Sequence, residues 1–274
     1  MSQAVAKCAA SPCPALLVEE AKLKRLRPDG LAAAQAYNAP GDRTPPPGYH
    51  EATPAELKEM NLKPEMLEHP KNAKGEVTDF RAAVFVNNKT GERIIAFKGT
   101  DTGADWGQNF RQGAGRESYY YTQAQTIANN VAASSKAGAT HFTGHSLGGG
   151  LASAASRASG LPASTFNAAS LHKDTVPQPN LSGVIDAVSV RGDPLTRANE
   201  GMLGTTSGTR PYKLEPPDYV AEALAKKIPW YNLKDKAVAF KERQLMLHGM
   251  KTANDAMEKR ARQVDAAIKA NHCR

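Results

Sequence analysis

Thr140-His141-Phe142-Thr143-Gly144-His145-Ser146-Leu147-Gly148-Gly149-Gly150-Leu151-Ala152 is the stretch on which the reading of this chain turns. Thr140 to Thr143 reads as a short strand, and the small and apolar residues from Leu147 to Ala158 predict a helix. Between them lies the pattern G-x-S-x-G, Gly144 to Gly148. A serine held on a sharp strand-to-helix turn projects its hydroxyl clear of the backbone. Gly144 and Gly148 leave room for strand and helix to approach where a Cβ would collide. The helix start also sets backbone N–H groups, including that of Leu147, where developing negative charge would be received. A bare G-x-S-x-G occurs by chance in glycine-rich turns; the strand before this one and the small-residue helix after it set it apart. His145 should point away from the serine's chemistry and serve packing or a backbone hydrogen bond.

A serine nucleophile needs a base, and the base an acid to orient it. With this kind of turn the chain order is nucleophile, acid, base. The acid belongs in a loop just after a later strand, and Val188-Ser189-Val190-Arg191-Gly192-Asp193-Pro194 fits, with Asp193 as candidate. Its alternative role is to shape the turn, as aspartate before proline often does. Asp186, inside the apolar strand, is the weaker choice. Two histidines follow usefully. His272 is the third residue from the end, where fraying is expected. His248 follows Leu245-Met246-Leu247 and precedes Gly249, and is the candidate base. Gly99-Thr100-Asp101, with Asp105, Trp106 and Asn109 beyond, leaves another strand. There Thr100 can join the Leu147 amide in receiving an oxyanion.

Outward from this centre, Phe80 to Val86 and Arg93 to Lys98 read as strands joined by the turn Asn87 to Glu92, hence a hairpin. A helix is expected from about Ser118 to Ser135, and further strands at Ser164 to Asn167 and Val184 to Val190. Helix is expected again over Lys234 to Ala270, in two pieces with Gly249 near the break. Strands alternating with helices imply an α/β fold with a mainly parallel sheet flanked by helices, and the elbow at Gly144 to Gly148 makes it resemble the α/β-hydrolases. Residues 1–52 read as an N-terminal extension with one amphipathic stretch, Leu16 to Leu26, and a Pro/Gly-rich linker at Pro40 to Gly48. Residues 53–274 read as the catalytic domain. Thr53-Pro54-Ala55-Glu56 opens it as a capping box; that helix should end near Met60, and a second short one runs from Pro64 to Glu68.

The 274 residues are 41% hydrophobic and 23% charged, an ordinary composition for one well-packed unit. No apolar run approaches the roughly 20 residues of a membrane-spanning helix, and Met1 to Pro14 lacks the apolar stretch of a secretory signal. The expectation is therefore synthesis in the cytoplasm without a cleavable signal peptide. The net charge of +8 is concentrated from Lys226 to Arg274, where twelve Lys or Arg face five Asp or Glu. That basic tail suits an anionic partner such as phospholipid headgroups, or is simply a solvated helix face. Of three cysteines, Cys8 and Cys13 are close enough to pair in an oxidising compartment, while free thiols are an equal reading; the spacing does not suit zinc.

Ala96-Phe97-Lys98-Gly99-Thr100, then Asp105-Trp106, Gly144 to Gly149, and Arg191-Gly192-Asp193-Pro194 with a late histidine resemble the class 3 (fungal-type) lipase family over about residues 78 to 255. The resemblance implies a triad of Ser146, Asp193 and His248, with Thr100 and Leu147 forming the oxyanion hole, and no metal or cofactor. More narrowly, the Pro-rich leader and the segment Leu57 to Pro70 look like bacterial lipase effectors delivered by type VI secretion. That likeness implies a phospholipase acting on a rival cell's membrane, secreted by a dedicated system, with a cognate immunity protein. Two other readings stand beside it: a carboxylesterase for soluble esters, and a non-catalytic protein holding membrane or nucleic acid. Nucleic acid is not expected, because the basic tail lacks interleaved aromatics and no nucleic-acid-binding motif occurs.

Overall fold

The computed structural model describes residues 11–100, 114–171, 174–176, 178–197, 209–225 and 233–274. In chain order the elements are helix α1 (Cys13–Gln35), strand β1 (Tyr49–Glu51), helices α2 (Pro54–Glu59) and α3 (Pro64–Leu67), strands β2 (Ala82–Asn87) and β3 (Arg93–Phe97), and helix α4 (Ala114–Ala132). They continue with strand β4 (Thr140–His145), helix α5 (Leu147–Ser159), strands β5 (Ala163–Phe166), β6 (Ile185–Val190) and β7 (Thr209–Leu214), and helices α6 (Asp218–Ala225), α7 (Leu233–His248) and α8 (Met250–Ala270).

Among the described residues the seven strands form one sheet in sequential order. The β1–β2 and β2–β3 pairs are antiparallel, the latter being the expected hairpin, and β3 through β7 are parallel. This mainly parallel sheet flanked by helices is the expected α/β-hydrolase-type fold. Both faces are apolar, as buried parallel strands require. Along β2 and β3, Val84, Ile95 and Phe97 join one core cluster, while Ala83, Phe85, Ile94 and Ala96 join another.

The sequential order decides where the helices go. Crossovers of one hand that step the same way along a sheet leave their helices on one face. Accordingly Ile127 and Val131 of α4 and Leu151 and Ala155 of α5 share a single cluster. The opposite face must be covered by chain from outside those crossovers, and α1 and α8 cover it. Leu26 and Ala33 of α1 pack with Ala253, Ala256 and Met257 of α8 over Phe166, Val188 and Val190, and Leu23 packs on Val264 and Ile268.

Helix α1 is therefore a core element lying in the stretch read from sequence as an extension. It runs through Pro28, where a break would be expected at a cost of about 3 kcal/mol. Burial of Leu26 before the proline and of Ala32 and Ala33 after it offsets that cost. The Pro-rich stretch after α1 is also tied down. Arg43 is buried in ion pairs with Glu51 and Glu68, and Arg81 donates to the Tyr37 carbonyl at 2.9 Å. Cys13 forms a disulfide with Cys273, joining the start of α1 to the end of α8, rather than with Cys8, which lies outside the described residues.

The capping box at α2 forms as expected: Glu56 N donates to the Thr53 hydroxyl, and Thr53 N to the Glu56 carboxylate. Strand β7 was not foreseen, since Pro211 argues against a strand. It lies at the sheet edge, where a missing N–H costs no ladder bond on the open side. Among the described residues no helix is long and apolar enough to cross a membrane.

Candidate active site

Strand β4 ends at His145 and helix α5 begins at Leu147, with Ser146 between them at φ 57°, ψ −124°. Such a conformation costs a non-glycine residue about 1–3 kcal/mol and persists only where its surroundings impose it. Here they do. Ser146 N donates to the Phe166 carbonyl at 3.1 Å, and the Ser146 carbonyl accepts from the amides of Gly149, Gly150 and Ala169. The glycines serve close approach, as their pattern implied. A Cβ on Gly144 would stand 2.2 Å from the Gly148 oxygen, and one on Gly148 would stand 2.1 Å from the Phe97 oxygen. A Cβ on Gly149 or Gly150 would stand 2.5 Å from the Ala168 Cβ or the Tyr121 hydroxyl respectively.

Three residues far apart in sequence meet at this turn. His248, the last residue of α7, has Nε2 2.9 Å from Ser146 Oγ and Nδ1 2.8 Å from Asp193 Oδ1. An ionised carboxylate only accepts, so Nδ1 carries the proton donated to Asp193, and Nε2 is left to accept from the serine hydroxyl. All three side chains are buried, Asp193 completely. Asp193 also caps the helical turn 194–197: its Oδ2 accepts from Thr196 N at 2.7 Å and from Thr196 Oγ1 at 2.6 Å. The two readings of Asp193 were thus not exclusive, because one oxygen shapes the turn while the other holds the imidazole.

The rejected alternatives are occupied elsewhere. Asp186 pairs with Lys22, at 3.1 Å, and with Arg25 beneath α1. His272 is exposed beyond α8. The end of β3 at Phe97 and the two residues after it lie against the elbow: a Cβ on Gly99 would come within 2.8 Å of the His145 carbonyl. Thr100 follows directly and is exposed, and Leu147 opens α5. Asp105, Trp106 and Asn109 lie outside the described residues.

Two further residues escaped sequence reasoning. Asn167, just past β5 and completely buried, accepts from Val190 N at 2.9 Å and donates to the carbonyls of Leu247 and His248. Thr196 is the second, although the Asp-x-x-Thr spacing of a helix cap could have drawn it out. His145 has both of its expected roles. It is buried with its ring 4.7 Å from that of His248, and its Nε2 donates to the His248 carbonyl at 2.7 Å. Burial, reinforced by the neighbouring His248, pushes its pKa down to about 3. Among the described residues no group of three or more His, Cys, Asp or Glu is placed to hold a metal ion.

The basic C-terminal helix spends much of its charge internally. Lys251, Lys259, Arg260 and Arg262 pair with Asp255, Asp218, Glu19 and Glu258, and Arg274 pairs with Glu20.

Comparison with known proteins places a family model, described as a Tle-like phospholipase domain, on residues 29–229. That span contains Ser146 and Asp193 and ends before His248. Over 97 residues the chain is 40% identical to the extracellular phospholipase A1 of Serratia liquefaciens, covering 35% of this chain and 30% of that protein. Among solved structures, a triacylglycerol lipase from Penicillium expansum aligns with 72% of this chain and 79% of its own, at 13% identity and a TM-score of 0.40. A dienelactone hydrolase-like promiscuous phosphotriesterase from metagenomic libraries aligns with 59% of this chain and 77% of its own, at 13% identity and a TM-score of 0.33.

Proposed function

Because the chain belongs to the Tle-like phospholipase domain family, and is thus a phospholipase/lipase-type hydrolase, we propose that it cleaves acyl esters of phospholipids through an acyl-enzyme on Ser146. The observation that carries this reading is the continuous chain Ser146 Oγ, His248 Nε2, His248 Nδ1, Asp193 Oδ1, with contacts of 2.9 and 2.8 Å.

In the first half-reaction His248 Nε2 takes the hydroxyl proton as Ser146 Oγ attacks the ester carbonyl. Asp193 stabilises the imidazolium that forms. The Leu147 amide, at the start of α5, and Thr100 receive the oxyanion. His248 then protonates the leaving alcohol, here a lysophospholipid, and the acyl group stays on Ser146. In the second half a water molecule gives its proton to His248 and its oxygen to the acyl carbon. Fatty acid leaves, and the serine hydroxyl is restored. The residues named supply every proton transfer in this sequence.

A secreted antibacterial role, with delivery into a target cell and a cognate immunity protein, extends the proposal. The extracellular character of the Serratia protein and the Cys13–Cys273 disulfide, which suits an oxidising compartment, support it. A soluble-ester carboxylesterase is the second reading. It is favoured by the ion pairs of α8, which leave less unpaired positive charge for an anionic membrane than the sequence count suggested.

The test is fatty-acid release from phosphatidylglycerol and phosphatidylethanolamine vesicles, wild type beside Ser146→Ala, with short-chain esters in parallel. Release of fatty acid and lysophospholipid by the wild type alone is the expected result. Cleavage confined to short-chain esters turns the reading to carboxylesterase. Equal release by Ser146→Ala removes the serine from the mechanism.

A further inference from the structure

We propose that His145 and Asn167 are positioning residues for His248, holding the carbonyl at the end of α7 so that the imidazole stays between Ser146 and Asp193. The inference rests on the reading of Ser146 as nucleophile and His248 as base.

The last carbonyls of a helix have no partner within it, and those of α7 can be followed one by one. Leu245 O accepts from Gly249 N at 3.0 Å and Met246 O from Thr252 Oγ1 at 2.6 Å. Leu247 O accepts from Asn167 Nδ2 at 3.2 Å. His248 O accepts twice, from Asn167 Nδ2 at 3.0 Å and from His145 Nε2 at 2.7 Å. The first two bonds are local to α7 and the start of α8. The last three come from the ends of the strands that build the site.

One of those strand ends, that of β4, carries the nucleophile, and the other, that of β5, is bonded to the end of β6, which carries the acid. His145 immediately precedes Ser146. Asn167 takes up Val190 N through its other side-chain atom, three residues before Asp193. Asn167 sits at φ 42° and is completely buried, so its amide is fixed from both sides. Nucleophile, acid and the backbone of the base are thereby tied to one another through two side chains. These donors fix the backbone of His248 independently of the bonds that its imidazole makes to Ser146 and Asp193.

The tautomer of His145 follows from its partners. A carbonyl only accepts, so Nε2 bears the hydrogen, and Nδ1 accepts from the Tyr37 hydroxyl at 2.9 Å. Tyr37 follows α1, so the helix over the opposite sheet face sets the donor that faces the base. Burial and the neighbouring imidazole hold His145 neutral, with a pKa of about 3.

The experiment compares His145→Leu, which has no donor, with His145→Gln, whose side-chain amide can reach the place of ring Nε2. Kinetics on a short-chain ester are read beside the Tm of each variant. A displacement of about 1 Å at a reacting group costs up to about 100-fold in rate. The expectation is a 10- to 100-fold loss of kcat in His145→Leu with KM within about twofold, and recovery of most of that loss in His145→Gln at a similar Tm. Wild-type kcat in folded His145→Leu overturns the proposal, as does a kcat that follows Tm alone with no rescue by glutamine. If His145→Leu fails to fold, the isosteric Asn167→Asp decides, because it replaces the donor with an acceptor. A kcat loss with KM retained supports positioning, and an unchanged kcat overturns it. An inactive wild type, or an active Ser146→Ala, sinks the triad reading itself and is distinct from either outcome.

Discussion

Thr196 occupies the Asp193 oxygen that His248 leaves unused, donating from both its amide and its hydroxyl. A hydrogen bond to a charged group is worth about 1.5–3 kcal/mol. Replacing Thr196 with valine keeps the shape and the amide bond and removes the hydroxyl. The expected result is a roughly tenfold or greater fall in kcat/KM, read from steady-state kinetics on a soluble ester. An unchanged kcat/KM would mean that the amide alone holds the carboxylate. Gly148 makes the complementary point about space. Its absent Cβ would overlap the Phe97 carbonyl, a backbone atom that cannot swing aside. Gly148→Ala should therefore lose at least about 1–3 kcal/mol. Gly138→Ala, where nothing lies within 4 Å, should melt like the wild type. Equal Tm values for the two variants would contradict the close-approach reading.

At the scale of elements, α1 meets the sheet through a buried polar cluster. His141 on β4 bonds Asp29 of α1 at 2.7 Å and lies 3.4 Å from Glu92. Burial works against a charge on His141, but the charge and hydrogen bond of Asp29, with Glu92, outweigh it, so the pKa is raised above its ordinary value. A raised folded pKa means that protonation stabilises the fold. The contribution is fully present below the unfolded value of about 6.5 and is lost as pH rises through the folded value. His141→Asn should therefore flatten the fall in unfolding free energy as pH rises above about 6.5, measured by urea titration; parallel pH curves for variant and wild type would refute this. The same cluster explains why α1 was hard to see in the sequence. The segment reads Pro28-Asp29-Gly30, three residues that ordinarily end a helix. Only the sheet beneath, the His141 partner and the fit of Gly30 against Asn254 and Met257 make a helix of it. The hairpin, the elbow and the capping box at Thr53 were legible because their signals are local. Strand β7 was not, because Pro211 is tolerated only at an edge, and edges are set by the whole sheet.

For the molecule as a whole, the Cys13–Cys273 disulfide closes nearly the entire chain, with a separation of 260 residues. Constraint of so long a loop in the unfolded state is worth up to about 5 kcal/mol. Reduction should lower the urea midpoint of the wild type to that of Cys273→Ser, and the latter should not respond to the reductant. A wild-type midpoint that reduction leaves unchanged would contradict the link between the two outer helices. The pairing could not be read from spacing, since it depends on α1 and α8 lying antiparallel across a face whose coverage follows from the order of the strands. The same holds for Asn167, which carries no motif and gains its role only where three strand ends and α7 meet. Ser146, Asp193 and His248 could be named as candidates from the sequence because chain order and flanking elements restrict the choice. Their distances could not, and the central claim rests on them. It is tested most directly by treating the folded protein with a fluorophosphonate and locating the adduct by peptide mass. One adduct, on Ser146, formed rapidly by the wild type and at least about 100-fold more slowly by His248→Ala, is the expected result. No adduct, or one on another residue at a rate indifferent to His248, would contradict it.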